Sequence, residues 1–436
     1  MTVTVLGAGL AGCEAALMLA GYGLNVRLYE MKPLAHSPAH RLDTFAELVC
    51  SNSLKAQRLA SAAGLLKEEM RLFGSVTVEA AYACAVQAGG ALAVDREGFS
   101  AYITQKVTHN PRIAVVHEVV SSIPEEGIVV VATGPLTADA LAEDIKRRCG
   151  LETLSFYDAA APIITADSID YDKVFYAARY GRGDADYINC PFDKEGYERF
   201  WQALTEAESA PLHAFEREFF RVYEGCMPVE VMAKRGMDTI RYGPLRPVGL
   251  RDPKTGHRPW AAVQLRRENA DGTLYNLVGF QTNLKFTEQK RVFSMIPGLA
   301  NAEFARYGVM HRNTFLDSPR LLDPFCRLKS DPRIFFAGQI TGVEGYVESA
   351  ACGIYAGLCA ARMALGRELA DPPADTMTGA LIRHLGDETG EFQPMGSNMG
   401  ILPPLAEPVR GKEQRYEALA ERAMASMRRY TQTLGE

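Results

Sequence analysis

Near its start the sequence runs Thr2-Val3-Thr4-Val5-Leu6-Gly7-Ala8-Gly9-Leu10-Ala11-Gly12. The first five residues are β-prone and mostly apolar, as in a buried parallel strand, and glycines follow with the spacing G-x-G-x-x-G. Glu14–Ala20 is rich in Ala and Leu and predicts a helix that Gly21 and Gly23 end, and Asn25–Glu30 predicts a second strand. This order of strand, glycine loop, helix and strand is typical of a dinucleotide-binding βαβ unit.

The three glycines have separate tasks in such a unit. Gly7 permits the tight turn, Gly9 lets the backbone approach a pyrophosphate, and Gly12 lets helix and strand pack closely. The pyrophosphate binds at the helix N-terminus, where unpaired N–H groups point towards it. Glu30 ends the second strand, where its carboxylate can bond the adenosine ribose hydroxyls. The predicted nucleotide-binding residues of this unit are Gly7, Ala8, Gly9, Leu10, Ala11, Gly12 and Glu30.

Later stretches favour FAD over NAD(P) as the bound nucleotide. Ile128–Gly134 predicts a strand ending in Ala-Thr-Gly, which resembles the second signature of two-dinucleotide flavoproteins. Ile334–Gln339 predicts another strand, which leads into a glycine-rich helix start at Thr341–Tyr346, and the positive end of that helix would stabilise a reduced, anionic flavin. Many such flavoproteins have Gly-Asp where this chain has Gly-Gln, so the contact to the ribityl chain is altered or absent. These stretches add Thr133, Gly134, Gly338, Gln339, Gly342 and Tyr346 to the predicted cofactor-binding residues.

The predicted fold class is α/β, a Rossmann-like FAD-binding domain of the two-dinucleotide flavoprotein type with an inserted α+β domain. We expect residues 1–150 and 301–436 to form the FAD-binding domain and residues 151–300 to form the insertion. Apolar spacing and β-propensity predict the smaller elements. These are helices within 195–224, strands at Ala261–Arg266 and Leu274–Gln281, and a polar-faced helix at Glu413–Thr433.

The composition is that of an ordinary globular protein. The 436 residues are 47% hydrophobic and 23% charged, and this length favours two domains. The most apolar stretch, around Ala350–Ala361, lies between Glu348 and Arg362, so we predict a buried helix and no membrane span. The first basic residue is Arg27, inside a predicted strand, so we expect no secretory signal.

Cysteine usage also limits the possible functions. The chain has nine cysteines, an odd number, and no two are spaced as CxxC. This pattern favours neither a disulfide framework nor a zinc site, so no metal is predicted and a reducing cytoplasm fits best. The sequence also lacks a GxSxG elbow, a P-loop lysine and an HExxH motif.

Charge is unevenly distributed along the chain. The net charge is −6, but the segment Lys234–Arg291 holds twelve Lys or Arg and five Asp or Glu, a local charge of +7 that leaves −13 for the remainder. A basic segment in an acidic protein is either a phosphate-binding surface or a solvated loop region. Charge alone does not favour one of these interpretations.

The most distinctive segments lie outside the glycine motifs. They are Glu47-Leu48-Val49-Cys50-Ser51-Asn52-Ser53, Glu224–Gly236 with Gly225-Cys226-Met227-Pro228 at its start, Tyr242–Leu250, Asn276–Lys285, Tyr307–Thr314 and Asn398–Pro404. These segments resemble the TrmFO family of flavin- and folate-dependent tRNA methyltransferases, and the similarity covers nearly the whole chain. A related family modifies the tRNA wobble uridine and shares the FAD fold and the late Gly-Gln motif, but its members are considerably longer.

The resemblance implies methylation of uracil C5 in the T loop of tRNA, at tRNA position 54. The carbon would come from 5,10-methylenetetrahydrofolate, and NAD(P)H would supply reducing equivalents through FAD. The family's two functional cysteines match Cys50 and Cys226 of this chain. The implied partners are therefore tRNA, folate and a nicotinamide cosubstrate.

Both cysteines suit the chemistry of this reaction. A thiolate that adds at uracil C6 lets C5 attack a one-carbon electrophile; a base then removes the C5 proton, and a hydride completes the methyl group. We assign Cys226 as the nucleophile, because Lys234 and Arg235 would favour its thiolate if that stretch folds back. Cys50, in a polar turn, is then the base or a covalent relay. The reverse assignment stays open.

The sequence also offers candidates for substrate contacts. Tyr346 could stack on the pterin of folate, and Asn313 or Lys412 could bond its polar edge or tail. The basic segment is the best source of phosphate contacts to tRNA, and the target base must leave its stack to expose C5 and C6. Two alternatives are wobble-uridine modification and a small-molecule FAD oxidoreductase without RNA. The second alternative leaves the basic segment and both cysteine motifs unexplained.

Overall fold

A computed structural model of the chain shows how these elements are arranged. It describes residues 1–37, 39–150, 154–159, 161–181, 184–210, 227–308, 310–388 and 392–434, with only the backbone described at 154–159, 181 and 310–314. Cys226 lies outside the described residues.

The strands and helices are numbered in chain order. The strands are β1 (Thr2–Leu6), β2 (Asn25–Glu30), β3 (Ser53–Ala56), β4 (Ala85–Val86), β5 (Ala91–Val94), β6 (Ile113–His117), β7 (Val129–Val131), β8 (Leu154–Ala159), β9 (Ile163–Thr165), β10 (Phe175–Tyr176), β11 (Ile188–Phe192), β12 (Ala261–Arg267), β13 (Leu274–Leu277), β14 (Phe304–Arg306), β15 (Met310–Phe315), β16 (Arg327–Leu328) and β17 (Asp331–Phe336). The helices are α1 (Leu10–Gly21), α2 (Ala62–Arg71), α3 (Val76–Ala83), α4 (Arg96–Thr108), α5 (Asp139–Cys149), α6 (Lys194–Glu206), α7 (Val229–Lys234), α8 (Met237–Tyr242), α9 (Phe286–Phe293), α10 (Ser318–Leu321), α11 (Tyr346–Ala364), α12 (Met377–Leu385) and α13 (Lys412–Leu434).

The predicted βαβ unit forms the centre of a six-stranded sheet. The strand order is β16-β17-β7-β1-β2-β6, and every pair is parallel except β16 with β17. Both strands of the unit have the predicted bounds, whereas α1 begins at Leu10 rather than at Glu14. Val3 and Val5 are fully buried, as expected for a parallel strand covered on both faces.

The late part of the chain completes the same sheet. Strand β17 pairs with β7, so that Ile334 lies opposite Val129 and Phe336 lies opposite Val131. The predicted strand Ile334–Gln339 is thus observed three residues earlier, at Asp331–Phe336. The chain leaves the strand before Gly338, whose φ of +80° is incompatible with an extended strand.

Helix α11 crosses α1 at short range, because small residues line both helices. A Cβ atom at Gly353 would lie 2.3 Å from the carbonyl oxygen of Ala11, and one at Gly357 would lie 2.8 Å from Cα of Ala15. Helix α11 is buried over most of its length, which confirms the buried helix predicted around 350–361. Within the described ranges, no helix combines the length and apolar character needed to cross a bilayer.

A second six-stranded sheet forms the centre of the middle segment. Its order is β10-β11-β12-β13-β9-β14, all pairs are antiparallel, and helices α6 and α9 share its core. The strand predicted at Leu274–Gln281 ends at Leu277. Gly279 has a φ of +79° and lies against Pro244, so the chain turns away there.

The remaining elements connect or cover these two sheets. Strand β14 belongs to the second sheet, and β15 pairs with β8 in a separate two-stranded ribbon. The division of the chain at residues 150 and 300 stays a prediction. The C-terminal helix α13 is confirmed, and α6 confirms the first part of the helical region predicted at 195–224, of which 211–224 lies outside the described residues.

We expect Gly353→Ala to lower the free energy of unfolding by about 1–3 kcal/mol, because the added methyl group would overlap the backbone of Ala11 and force the helices apart. Gly21→Ala is the matched control, since a Cβ atom at that position of α1 would meet no atom within 4 Å. Urea unfolding followed by circular dichroism measures both variants. A free energy of unfolding of Gly353→Ala equal to that of the wild type would contradict the close crossing of the two helices.

Candidate active site

A cavity opens at the carboxyl ends of β1 and β7, the edge of the sheet where such folds bind nucleotides. It contains about 700 Å³ of empty space, including part open to solvent. Its lining includes the predicted residues Gly7, Ala8, Gly9, Glu30 and Thr133. The sequence analysis missed Glu118, Val119 and Leu136, which also line it. These residues follow β6 and β7, two parallel strands of the sheet. Their position after predicted strands is the feature of the sequence that could have identified them.

Glu30 joins the glycine loop to the end of β2. Its carboxylate is buried and accepts hydrogen bonds from the backbone N–H groups of Ala8 (2.7 Å) and Lys32 (3.1 Å). The side chain therefore fixes the shape of the glycine loop and also faces the cavity. A carboxylate in this position is suited to bonding a ribose hydroxyl, as the sequence predicts.

The start of α1 is open towards this cavity. Its N-cap residue, Gly9, has an extended backbone and no side chain caps the helix, so the first N–H groups can bind a phosphate. A Cβ atom at Gly9 would meet no atom within 4 Å, whereas one at Gly12 would lie 1.8 Å from the carbonyl oxygen of Gly7. The loop thus has room for a phosphate at Gly9 and close packing at Gly12, which fits the pyrophosphate of FAD.

The late glycine loop lies against the start of α1. A Cβ atom at Gly338 would lie 2.7 Å from Cβ of Ala11. Gln339 donates from Nε2 to both carboxylate oxygens of Glu344, at 3.2 and 3.1 Å, so its amide is held within its own loop. The structure therefore brings the early and late glycine motifs together, and α11 starts immediately after them at Tyr346.

Cys50 lies in the stretch 47–55, which is a loop that runs into β3 and contacts Tyr346; this stretch is called the Cys50 loop. The Tyr346 hydroxyl accepts hydrogen bonds from the backbone N–H groups of Cys50 (2.7 Å) and Ser51 (3.4 Å), and it lies 3.0 Å from the Cys50 sulfur. Burial, followed by the neighbouring Cys50, raises the pKa of Tyr346 well above its ordinary value, so the hydroxyl keeps its proton. Because the two N–H groups occupy its lone pairs, the hydroxyl is left to donate to the sulfur.

Residues of the second sheet hold the other side of this loop. Asn52 is fully buried and donates from Nδ2 to the carbonyl oxygens of Val94 (3.0 Å) and Arg267 (2.9 Å). Arg266 donates to Oδ1 of Asn52 (3.0 Å) and to Oγ of Ser51 (2.8 Å). The Cys50 loop is therefore hydrogen-bonded both to α11, which follows the late glycine motif, and to strand β12 of the second six-stranded sheet.

An ion pair between the half-exposed Lys55 and the buried Glu348 fixes the end of the loop. Lys55 Nζ lies 2.6 Å from Oε1 of Glu348, which is fully buried two residues into α11. Ser397 also donates to this carboxylate, from its backbone N–H (2.9 Å) and its hydroxyl (2.5 Å). Although burial acts to raise the pKa of Glu348, Lys55 and Ser397 hold it below its ordinary value. The first turn of α11 thus holds both Cys50 and Lys55, a contact the sequence analysis missed.

Three arginines place positive charge around the loop. Arg306 donates from Nη2 to the carbonyl oxygen of Val49 at 2.5 Å, and Arg96 lies 2.5 Å from the carboxylate of Glu268. Burial, and then the proximity of Arg96 and Arg41, lowers the pKa of Arg306, so the three guanidinium groups lie near one another. Such a positive potential favours anionic groups, including a thiolate or a phosphate.

Both flanks of the Cys226 segment are described, although Cys226 is not. On one side, Ala210 donates its backbone N–H to the carbonyl oxygen of Asn283 at 2.7 Å. On the other side, Val229 donates its backbone N–H to the carbonyl oxygen of Gln281 at 2.7 Å. The two flanks are therefore attached to the same short stretch of chain, close to the start of α9.

The basic segment Lys234–Arg291 is partly structural and partly exposed. Arg266 is buried against the Cys50 loop, and the Arg241 guanidinium lies 4.0 Å from the ring centroid of Trp260. The exposed members are Lys234, Arg235, Arg246, Arg251, Lys254, Arg258, Lys285, Lys290 and Arg291. Lys285 and Arg291 pair with Glu208 and Glu288, so the other exposed cations are the ones available to phosphate groups.

The predicted folate contacts have different outcomes. Tyr346 is placed against Cys50, whereas Lys412 is exposed at the start of α13, with Nζ 5.5 Å from the ring centroid of Tyr416. The side chain of Asn313 lies outside the described part, so all three folate roles stay predictions. Among the described residues, no group of three or more His, Cys, Asp or Glu is placed to hold a metal ion.

Comparison with known proteins gives the same family as the cysteine segments. The family model described as Glucose inhibited division protein A matches residues 2–368. A relative from Heliobacterium modesticaldum, named methylenetetrahydrofolate--tRNA-(uracil-5-)-methyltransferase TrmFO, is 57% identical over 431 residues, 99% of this chain and 98% of its own length. A relative of the same name from Listeria monocytogenes is 56% identical over 434 residues, 99% of each chain. This chain belongs to the TrmFO family. The resemblance stated from the sequence is thereby confirmed.

A solved structure supports the fold of this TrmFO family member. The structure of Aquifex aeolicus GidA in the form II crystal matches with a TM-score of 0.70 at 18% sequence identity. The match covers 100% of this chain and 73% of the GidA chain. The likeness confirms the predicted α/β class.

We expect Gly9→Ala to weaken FAD binding at least tenfold while leaving the apoprotein folded. The added methyl group would meet no protein atom within 4 Å, but it would project into the space available for the pyrophosphate. The bound flavin per chain, read from visible absorbance, and the melting temperature of the apoprotein measure the two effects. Gly21→Ala is the control, and unchanged flavin affinity in Gly9→Ala would place the pyrophosphate elsewhere.

We expect Tyr346→Phe to slow the reaction of Cys50 with iodoacetamide at a fixed pH and to lower stability by about 1–3 kcal/mol. The variant keeps the ring but removes the hydroxyl that bonds the Cys50 sulfur and two backbone N–H groups. Mass spectrometry of the alkylated peptide measures the first effect and urea unfolding the second. A faster or unchanged alkylation rate would show that the hydroxyl does not stabilise the thiolate.

Proposed function

We propose that this protein methylates C5 of the T-loop uridine at tRNA position 54. Its carbon donor is 5,10-methylenetetrahydrofolate, its cofactor is FAD and its reductant is NAD(P)H. The observation that carries the proposal is the identity of 54–57% over nearly the whole chain with relatives named methylenetetrahydrofolate--tRNA-(uracil-5-)-methyltransferase. A cytoplasmic location is part of the same proposal.

The position of Cys50 supports this function. The Cys50 loop is hydrogen-bonded to Tyr346, which follows the late glycine motif, and to Arg266 of the second sheet. A thiol at this junction would meet a substrate that lies between FAD on the first six-stranded sheet and an RNA-binding surface beside the second sheet. The surrounding arginines would favour the anionic form of such a group.

The cofactor-binding residues follow from the two glycine motifs. We propose that Gly7 to Gly12 and Glu30 hold the adenosine and pyrophosphate of FAD. Thr133, Gly134, Gly338, Gln339, Gly342 and Tyr346 would lie beside the remainder of the molecule. The open N-terminus of α1 supplies the phosphate donors. When bound, FAD supplies the hydride that the final reduction needs.

The two cysteines would divide the remaining chemistry. The Cys226 thiolate adds to uracil C6, and C5 then attacks the methylene carbon of the folate as one of the two C–N bonds of that carbon breaks. Cys50 removes the C5 proton as tetrahydrofolate leaves, which produces an exocyclic methylene group. Hydride addition to this group forms the methyl, the C5–C6 double bond returns, and the Cys226 thiolate departs. The protonated thiol of Cys50 then returns its proton to solvent or to the departing amine.

The alternatives are not favoured. Relatives of more than 50% identity carry the uracil-5-methyltransferase name, whereas the match to GidA is at 18% identity and concerns the fold. A small-molecule oxidoreductase would not need so many exposed cations in one segment of the chain. The exposed members of the basic segment support an RNA substrate.

The decisive test is transfer of labelled carbon from methylenetetrahydrofolate to unmodified tRNA in the presence of FAD and NAD(P)H. We expect labelled 5-methyluridine with the wild-type protein and none with Cys226→Ala, because no thiolate would then activate C5. Mass spectrometry of the digested nucleosides identifies the product. Cys149→Ala is the control, since burial raises the pKa of that thiol to about 11 and leaves it unreactive.

Two other outcomes would change the proposal. Product from Cys226→Ala but not from Cys50→Ala would exchange the roles of the two cysteines. No product from wild-type protein that is folded and yellow would contradict tRNA methylation itself.

A further inference from the structure

Three aromatic rings form a continuous stack beside the second six-stranded sheet. The Tyr307 ring lies between Phe304 and Phe286, with centroids 5.0 Å and 4.8 Å away and interplanar angles of 10° and 18°. Near-parallel rings at these distances are stacked face to face with offset. Aromatic pairs in the core of the second sheet are instead tilted or edge-on, as at Phe280 and Phe293, where the interplanar angle is 80°.

The stack runs from the protein core to solvent. Phe304 packs against the core of the second sheet, whereas Phe286 is 54% exposed. The buried side chain of Gln289 fixes α9 to the chain beside Tyr307, because its amide exchanges two hydrogen bonds of 2.8 Å with the backbone of Gly308. The exposed ring of Phe286 is therefore held in place by its stacking on Tyr307 and by the hydrogen bonds of Gln289.

The stack is joined by hydrogen bonds to the Cys50 loop and to the described chain that ends at Ala210. Arg306, between Phe304 and Tyr307 in the chain, reaches the carbonyl oxygen of Val49 next to Cys50. On the other side, Lys285, which precedes Phe286, donates its backbone N–H to Glu208, two residues before the described chain ends at Ala210. The exposed ring of Phe286 thus lies close to two points of the chain, one bonded to the Cys50 loop and one bonded to Glu208.

A cation accompanies the exposed ring. Lys290 is four residues after Phe286 on α9, so the two side chains share one face of the helix. Lys285 pairs with Glu208 and Arg291 pairs with Glu288, but Lys290 forms no ion pair with any residue that the structure describes. This combination of a ring face and an available ammonium group suits a base and its phosphate.

We propose that Phe286 is a stacking platform for an unpaired base of the tRNA T loop, and that Lys290 contacts a neighbouring phosphate. The inference rests on the proposed function and adds the place where the RNA loop is held open. Sequence-tolerant stacking on aromatic rings is a common way to hold unstacked bases. A protein partner would need an apolar interface of several hundred Å² on each side, whereas Phe286 offers one ring beside a cation.

The first test compares tRNA affinity among variants of the full protein. We expect Phe286→Ala to weaken binding of an unmodified tRNA transcript roughly five- to 150-fold, and Phe286→Trp to keep it within about twofold. Phe286→Leu keeps apolar bulk without an aromatic face, and we expect it to behave like the alanine variant. Tyr82→Ala is the matched control, since Tyr82 is 44% exposed on α3 and lies beside Arg71. It should bind like wild type.

Salt dependence separates the two predicted contacts. Loss of a phosphate contact in Lys290→Ala should reduce the slope of log affinity against log salt by about one, whereas Phe286→Ala should leave this slope unchanged. Flavin reduction by NAD(P)H without tRNA should be the same in all variants, which verifies that the active site is folded.

The second test removes the base instead of the ring. T-arm hairpins with one abasic residue at each unpaired loop position are measured with wild type and Phe286→Ala. We expect one position at which the two proteins bind equally, because the stack is then missing from both complexes. Equal affinity of wild type and Phe286→Ala for the intact hairpin would overturn the inference. Absence of 5-methyluridine from wild type would instead contradict the proposed function.

Discussion

The close crossing of α1 and α11 is the contact on which the rest of the site depends. Helix α1 follows the first glycine loop and α11 follows the late one, so their separation fixes the distance between the two motifs. Gly353 lies where any side chain would overlap Ala11, which keeps the helices at backbone contact. A larger separation would move the late glycine loop away from Ala11 at the start of α1. The late motif is therefore aligned with the first by packing rather than by a direct bond between the loops.

The same helix also fixes a backbone loop of unusual geometry. Ala46 and Lys55 have φ values of +51° and +63°, which non-glycine residues seldom adopt, and they lie on either side of Cys50. Glu348 is buried with Lys55 as its partner, while its Oε2 has no hydrogen-bond partner among the described residues. Because the carboxylate is buried, loss of Lys55 would leave a buried charge without its partner, which is costly. Strained backbone and a buried charge at one loop are typical of a functional site whose residues must be held in a fixed position.

Local pattern and long-range packing differ in how far the sequence reveals them. The strands at Thr2–Leu6 and Asn25–Glu30 were predictable to the residue, because apolar runs and glycines mark both ends. Cys50 and Tyr346 were each predicted as site residues from motifs, but their contact joins positions 296 residues apart. No periodicity or spacing reports such a contact. The ion pair of Lys55 with Glu348 was missed for the same reason.

Arg266 shows a related limit, since residue type does not reveal whether a charge is exposed. It was counted with the basic segment, yet it is buried and bonds Asn52 and Ser51. Lys285 and Arg291 are also neutralised by nearby carboxylates. Outside this segment the chain is strongly acidic, and charges more than about 8 Å from the RNA are largely screened at physiological salt. The exposed cations without a carboxylate partner in the described part of the chain are then the ones left to contact phosphate groups, and stacking adds a short-range contribution to the affinity for tRNA that salt does not screen.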